Sequence, residues 1–194
     1  MSYLHKEQRR ETILQAAMRV ALAEGFAGMT VRNIAGEAQV AAGQVHHHFA
    51  SSGELKSQAF IRLIRVLFDA QKRVESASWR RRLHAMLGSD DGGFEPYIRL
   101  WREAQILADK DADLKNAYLL TMRMWHEETV AIINGGCAAG EFVRHREAAE
   151  IAWRLIALVC GLDGMYALGM AEISEAAFEQ HLTQQIELEL CARR

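Results

Sequence analysis

Apolar residues recur at intervals of three or four along nearly the whole chain, which is the spacing that buries one side of an α-helix. In the first such segment, from about residue 6 to residue 24, Ile13, Ala17 and Ala21 share a face and Gly25 follows as a helix end. Strand-like alternation is almost absent, and the 194 residues include one proline. The pattern therefore predicts an all-α protein of about nine helices.

Small polar residues, glycines and the proline mark where the predicted helices begin and end. Ser51 or Ser52 is expected to cap the fourth helix, and Pro96 suits the first turn of the sixth. The nine segments are about 6–24, two short helices within 30–49, and then about 53–74, 79–87, 96–108, 111–136, 146–170 and 174–191. No linker precedes the fourth helix, so we expect it to connect a domain of residues 1–52 to a domain of residues 53–194.

Residues 30–49 predict a short helix, a tight turn and a second short helix. Thr30 is suited to cap the first helix, whose apolar side includes Ile34. Val45 and Phe49, four residues apart, anchor the second helix. Its polar residues then face outward, and these are Gln44, His46, His47 and His48. A short helix held on a partner helix, with its polar face projecting, fits the major groove of DNA.

This segment resembles the helix-turn-helix of the tetracycline-repressor (TetR) family. The run from Ala42 to Phe49 has the pattern small-Gly-x-aliphatic-aromatic/His-x-His-Phe, and the resemblance covers about residues 6–68 without a gap. The second half resembles a subgroup of that family that includes the choline-responsive repressor BetI, through residues 100–104, 123–133 and 150–169. The resemblance implies a bacterial repressor that binds palindromic operator DNA as a dimer and is released by a small-molecule effector.

Charge is distributed unevenly along the chain. The formal net charge of −2 divides into +1 over residues 1–53, +5 over residues 54–82 and −8 over residues 83–194. A basic portion joined to an acidic remainder is expected when one end of a protein meets phosphate. The run Arg80-Arg81-Arg82 could equally be a solvated helix face.

Several polar residues are candidates for DNA contact, although each could also be an ordinary solvated side chain. Arg32 can bind a phosphate or pair with guanine, and Gln44 can pair with adenine. In the family, the positions of His46 and His48 lie at DNA, and that of His47 is variable. The predicted DNA-binding set is Lys6, Arg9, Arg10, Thr30, Arg32, Gln44, His46, His47, His48, Ser52 and Lys56.

The three adjacent histidines have a further consequence. They point about 100° apart on a helix and cannot share one metal ion, so no metal site is predicted. No cofactor is predicted either. Because histidine titrates near neutrality, protonation beside phosphate predicts DNA binding that tightens as the pH falls from about 8 to 6. The family usually places lysines after Phe49, where this chain has Ala50-Ser51-Ser52-Gly53. We therefore expect modest DNA affinity that depends strongly on salt.

The last two predicted helices are apolar on more than one face, which suggests self-association. By resemblance, helices 8 and 9 of two subunits form a four-helix bundle. A ligand pocket is expected inside helices 5–8, where aromatic and sulfur-containing side chains could line it, although most could also be core. Asp163 stands among apolar residues and could contact the ligand, the dimer partner or a hydrogen-bond donor of its own domain. The predicted ligand-binding residues are Tyr97, Trp101, Met122, Trp125, Trp153, Asp163 and Tyr166.

Three widely spaced cysteines without a CxxC motif suit a reducing compartment. With no signal peptide or long apolar run in view, we expect a soluble cytoplasmic protein associated with the nucleoid. Catalysis by His48, Glu103 or His126 lacks support, since no GxSxG, HExxH or P-loop motif is present. The remaining alternative is a helical interaction module with weak or no specific DNA binding, because the usual lysines are absent.

Overall fold

The computed structural model describes residues 2–72, 78–88 and 93–190, and these residues are all α-helical apart from turns and loops. The described residues form nine helices, which confirms the predicted fold class. They are α1 (Ser2–Gly28), α2 (Val31–Glu37), α3 (Ala42–His48), α4 (Ser52–Lys72), α5 (Trp79–Met86), α6 (Glu95–Leu107), α7 (Ala112–Ala138), α8 (Ala148–Ala167) and α9 (Glu175–Leu190).

Two helix ends differ from the prediction for physical reasons. α1 breaks at Gly25, which has φ 71° and ψ −172°, but resumes and continues to Gly28. α7 continues through Gly135 and Gly136, because these glycines leave room for aromatic rings rather than ending the helix; the Trp79 ring lies against Gly135 and the Phe142 ring against Gly136. The loop predicted at 89–93 and the third cysteine, Cys191, lie largely or wholly outside the described residues.

The helix-turn-helix forms as the sequence predicts. Ile34 of α2, together with Val45 and Phe49 in and after α3, is buried against α1. Thr30 caps α2, since its hydroxyl oxygen accepts a hydrogen bond from the Asn33 amide at 3.2 Å. α1 and α2 therefore support α3 through its buried apolar residues.

The start of α4 is held by a reciprocal cap. The Ser51 hydroxyl oxygen accepts a hydrogen bond from the Glu54 amide at 2.9 Å, and the Glu54 carboxylate accepts one from the Ala50 amide at 2.7 Å. This is close to a capping box, in which a serine and a glutamate three residues later satisfy amides that the helix leaves free. Of the two predicted capping residues, Ser51 is the one used.

The described residues divide into two compact units. The first lies within Met1–Leu67 and Gly92–Met122, and the second within Phe68–Asp91 and Arg123–Arg194. α4 and α7 each contribute residues to both units. The division at residue 52 that the sequence suggests remains a prediction about how the protein works.

The core of the second unit is built by α5, α8 and α9. Leu83, Leu155 and Ile186 are fully buried. Arginines of α5 find partners inside this unit: the Arg82 guanidinium lies 4.6 Å from the Trp79 ring centroid, and an Arg80 nitrogen lies 3.8 Å from a Glu187 carboxylate oxygen. Among the described helices, none is long and apolar enough to cross a membrane.

Candidate functional site

α3 presents polar side chains to solvent on a buried apolar support. Gln44, His46 and His47 are exposed, whereas Val45 is 2% and Phe49 3% exposed. The predicted recognition face is therefore accessible along the length of the helix. Such a face can reach base edges if α3 enters a major groove.

His48 occupies the end of α3 and is half-buried. Its ring lies at an edge-to-face angle to His47, with centroids 5.2 Å apart, and its Nδ1 atom is buried without a hydrogen-bond partner in the described part of the chain. Burial lowers the pKa of His48, and the charge of His47 lowers it further. The positive side chains of Lys6, Arg10 and Arg9 add smaller effects in the same direction. A phosphate beside the ring would favour the protonated form and so raise the pKa of His48.

The predicted N-terminal basic cluster does not behave as one group. Lys6 and Arg9 are exposed and free to meet phosphate. Arg10 stacks its guanidinium 4.5 Å from the Phe49 ring centroid and donates a hydrogen bond to Gln58 at 2.7 Å. It also pairs with Glu54 at 3.3 Å. Arg10 therefore fastens α1 to α4 within the first unit.

The other predicted DNA-binding residues surround α2 and the start of α4. Arg32 is exposed on the first turn of α2, next to the capping residue Thr30. Ser52 is exposed as the first residue of α4, and Lys56 is half-buried one turn later. The structure thus leaves accessible side chains at both ends of the helix-turn-helix.

Sequence reasoning missed the role of Glu54. Its carboxylate lies at the N-terminal end of α4, where it accepts a hydrogen bond from the Ala50 amide. A helix N-terminus attracts anions, and here a side chain of the protein takes that place. The Ser51-x-x-Glu54 spacing was the signal that could have revealed it.

The predicted ligand-binding residues fall into both units. In the first unit Tyr97, Trp101 and Met122 are half-buried. The Trp101 ring meets the Tyr118 ring edge-to-face at 6.2 Å and the Phe60 ring at 6.3 Å. Trp101 therefore belongs to an aromatic cluster that α4, α6 and α7 share.

The other four candidates lie in the second unit. Trp125 is 9% exposed, and its indole Nε1 donates a hydrogen bond to the Met86 carbonyl at 2.8 Å. Trp153 and Tyr166 are nearly half exposed, and the Trp153 ring stacks on His126 with centroids 4.3 Å apart. Asp163 is half-buried on α8. Trp125 thus has a packing role, whereas Trp153 and Tyr166 face outward from their unit.

Comparison with known proteins agrees with this geometry. Residues 13–56 match the sequence profile of the bacterial regulatory proteins of the tetR family. The HTH-type transcriptional regulator BetI of Agrobacterium fabrum is 27% identical over 176 residues, which cover 87% of this chain and 82% of that protein.

Solved structures also resemble nearly the whole chain, among them the two that follow. A putative transcriptional regulator from Saccharomonospora viridis in complex with choline is 25% identical with a TM-score of 0.76, covering 96% of this chain and 100% of that one. A putative TetR-family transcriptional regulator from Rhodococcus sp. is 26% identical with a TM-score of 0.77, covering 95% and 99%.

Proposed function

We propose that this chain is a transcriptional regulator of the tetR family, and that it acts as a repressor that binds palindromic operator DNA as a homodimer and leaves it when a small-molecule effector binds. The observation that carries the proposal is the exposed polar face of α3, held by the buried Val45 and Phe49. Gln44, His46 and His47 would read base edges from that face. Residues 1–52 would then act as the DNA-binding domain and residues 53–194 as the regulatory one.

Phosphate contacts would surround the reading helix. Lys6, Arg9 and Arg32 are exposed cations, and Lys56 lies one turn into α4. Such contacts supply much of the affinity of a DNA-binding protein and make it sensitive to salt. Because Glu54 keeps a negative charge at the start of α4, we expect weaker anion binding there than at an unoccupied helix N-terminus.

Exposed apolar side chains in α8, just after α8 and in α9 support the dimer. Leu168 is 83% exposed and Leu188 73% exposed, and Trp153 and Tyr166 are also exposed. A Cβ atom added at Gly164 would meet no atom within 4 Å in this subunit, so a second subunit could approach closely. A twofold dimer would place two α3 helices about 34 Å apart, one turn of DNA.

A quaternary amine such as choline is the first effector to test. The similar protein from Saccharomonospora viridis is in complex with choline, and a relative is a BetI regulator. Trp101 with Tyr118 and Phe60 supplies aromatic ring faces and edges, and ring faces attract quaternary ammonium groups. An effector lowers DNA affinity by no more than its preference for the conformation that does not bind DNA.

The test is titration of the protein against a fluorescent duplex taken from the region upstream of its own gene. We expect specific binding that weakens as the salt concentration rises. Lys6→Ala should make the slope of log affinity against log salt concentration shallower by about one. Gln44→Ala should reduce discrimination against unrelated DNA, whereas Gln105→Ala, at an exposed position on α6, should not.

Two results would contradict parts of the proposal. A salt slope near zero, or equal affinity for unrelated DNA, would favour the alternative of a helical interaction module. The Glu54 carboxylate at the start of α4, where DNA phosphate would otherwise bind, is consistent with that alternative. Sedimentation as a monomer at the concentrations that shift DNA would contradict the dimer. Addition of choline to the protein–DNA complex tests the effector proposal, which predicts that the complex dissociates.

A further inference from the structure

The break in α1 is completed by two side chains of α6. In an unbroken helix the Leu22 carbonyl would accept a hydrogen bond from the Phe26 amide. With Gly25 at φ 71°, Arg99 Nη2 instead donates to the Leu22 carbonyl oxygen at 2.6 Å, and the Phe26 amide donates to a Glu103 carboxylate oxygen at 2.8 Å. Arg99 and Glu103 thus bind the two backbone groups that an unbroken helix would join to each other.

Arg99 and Glu103 act as a pair because they stand one turn apart on α6. Arg99 Nε lies 3.8 Å from a Glu103 carboxylate oxygen, so each charge faces an opposite charge as well as the backbone group it binds. Hydrogen bonds from a charged partner are stronger than those between neutral groups. We call these two residues the α6 bracket.

Gly25 is fitted to the bracket in two ways. Its positive φ is a conformation that side chains other than glycine rarely adopt. A Cβ atom at this position would also come within 2.6 Å of both Glu103 carboxylate oxygens. Alanine at position 25 would therefore oppose both the bend and the carboxylate that holds it.

The bend directs the chain into the DNA-reading helices. Phe26, directly after the break, is buried, and its ring meets the Phe60 ring of α4 at 5.8 Å. Trp101, which lies between the bracket residues on α6, meets the same Phe60 ring. α6 thus binds the backbone at the bend through Arg99 and Glu103, and its Trp101 ring contacts the Phe60 ring against which Phe26 packs. Only two residues separate the end of α1 from the beginning of α2.

We propose that Arg99 and Glu103 are positioning residues for DNA binding, which hold α1 bent at Gly25 so that α2 and α3 present the reading face in the geometry that DNA requires. This inference rests on the proposed DNA-binding function. A shift of α6 would disturb both hydrogen bonds together, because they come from the same helical turn.

Replacing Glu103 tests the bracket against the fluorescent upstream duplex. Glu103→Ala leaves the Phe26 amide without its acceptor, and we expect about tenfold weaker DNA binding. Glu103→Gln keeps an oxygen that can accept this hydrogen bond and should recover most of the affinity. Glu95→Ala is the matched control, because it removes a carboxylate that pairs with Arg102 of the same helix at 3.3 Å.

A double variant separates positioning from plain stability. Gly25→Ala combined with Glu103→Ala removes the clash at position 25 and favours an unbroken α1. We expect a melting temperature at or above that of Glu103→Ala, with DNA affinity that stays low or falls further. Recovery of DNA affinity along with the melting temperature would overturn the proposal, as would full affinity in Glu103→Ala.

Amide hydrogen exchange distinguishes failure of this inference from failure of the proposed function. In Glu103→Ala, but not in Glu95→Ala, exchange should quicken from Phe26 into α2, whether or not any DNA binds. Unchanged exchange there would overturn the bracket even if the protein binds its DNA. If Glu103→Ala speeds this exchange but the wild-type protein binds no DNA, the bracket still holds the bend, whereas DNA binding and the positioning role are refuted.

Discussion

Trp125→Phe should destabilise the protein by removing one buried hydrogen bond. The indole Nε1 donates to the carbonyl of Met86, the last residue of α5, at 2.8 Å. The final carbonyls of a helix lack donors within the helix, so phenylalanine would leave this one without a donor among the described residues. A buried unsatisfied acceptor costs about 1–3 kcal/mol, and the smaller ring adds lost packing. We therefore expect the free energy of unfolding to fall by at least about 1 kcal/mol.

Urea unfolding followed by circular dichroism measures this loss as a lower midpoint with an unchanged slope. Thr129→Val is the matched control on the same helix. The Thr129 hydroxyl donates to the Trp125 carbonyl at 2.9 Å, so valine removes a buried donor together with its hydrogen bond but leaves that carbonyl in the helix ladder. We expect a change below about 1 kcal/mol for the control. A Trp125→Phe protein as stable as wild type, but with altered effector affinity, would refute the packing role and favour the predicted ligand contact.

Three further predictions concern a helix cap, a glycine and a histidine. Glu141→Ala should lower stability by about 0.5–2 kcal/mol, because its carboxylate accepts the first two amides of α5, each at 2.8 Å. These hydrogen bonds lower the pKa of Glu141, so urea unfolding at several pH values should show the difference present above about pH 4.5 and lost as the pH falls through the lowered pKa. Gly135→Ala should destabilise by about 1–3 kcal/mol through overlap with the Trp79 ring, whereas Gly36→Ala, which meets open space, should stabilise by about 0.5–1 kcal/mol; thermal unfolding compares the two. Phosphate should raise the pKa of His48, whereas burial lowers it in the free protein. DNA affinity should therefore rise as the pH falls through the pKa of the DNA-bound state and level off below the pKa of the free protein. Anisotropy titrations should show less pH dependence in His48→Gln, and an unchanged pH profile would exclude His48 as the source.

Local features of the chain were sufficient to predict the helix-turn-helix. The Thr30 cap and the buried Ile34, Val45 and Phe49 depend on residues within one or two turns of each other, and the structure shows each of them. Sequence periodicity captures such contacts because helix geometry alone brings these residues together.

Contacts between distant segments could not be predicted in the same way. The sequence predicts that Gly25 ends α1, whereas the helix bends there and continues to Gly28, and the partner of the Phe26 amide is Glu103, 77 residues away. Trp125 was chosen for its aromatic surface, and only the tertiary structure shows that its nitrogen serves the end of α5. A residue type limits what a side chain can do, whereas its neighbours determine which of those roles it has.

The adjacent glycines near the end of α7 fix how that part of the helix is oriented within the second unit. Neighbouring helical residues point about 100° apart, so the Trp79 ring at Gly135 and the Phe142 ring at Gly136 reach α7 from different directions. Turning the helix about its axis, or sliding it by one residue, would drive a neighbouring side chain into at least one ring. The two rings therefore allow only one register for this part of α7, which can move only together with the start of α5 and the segment that follows α7.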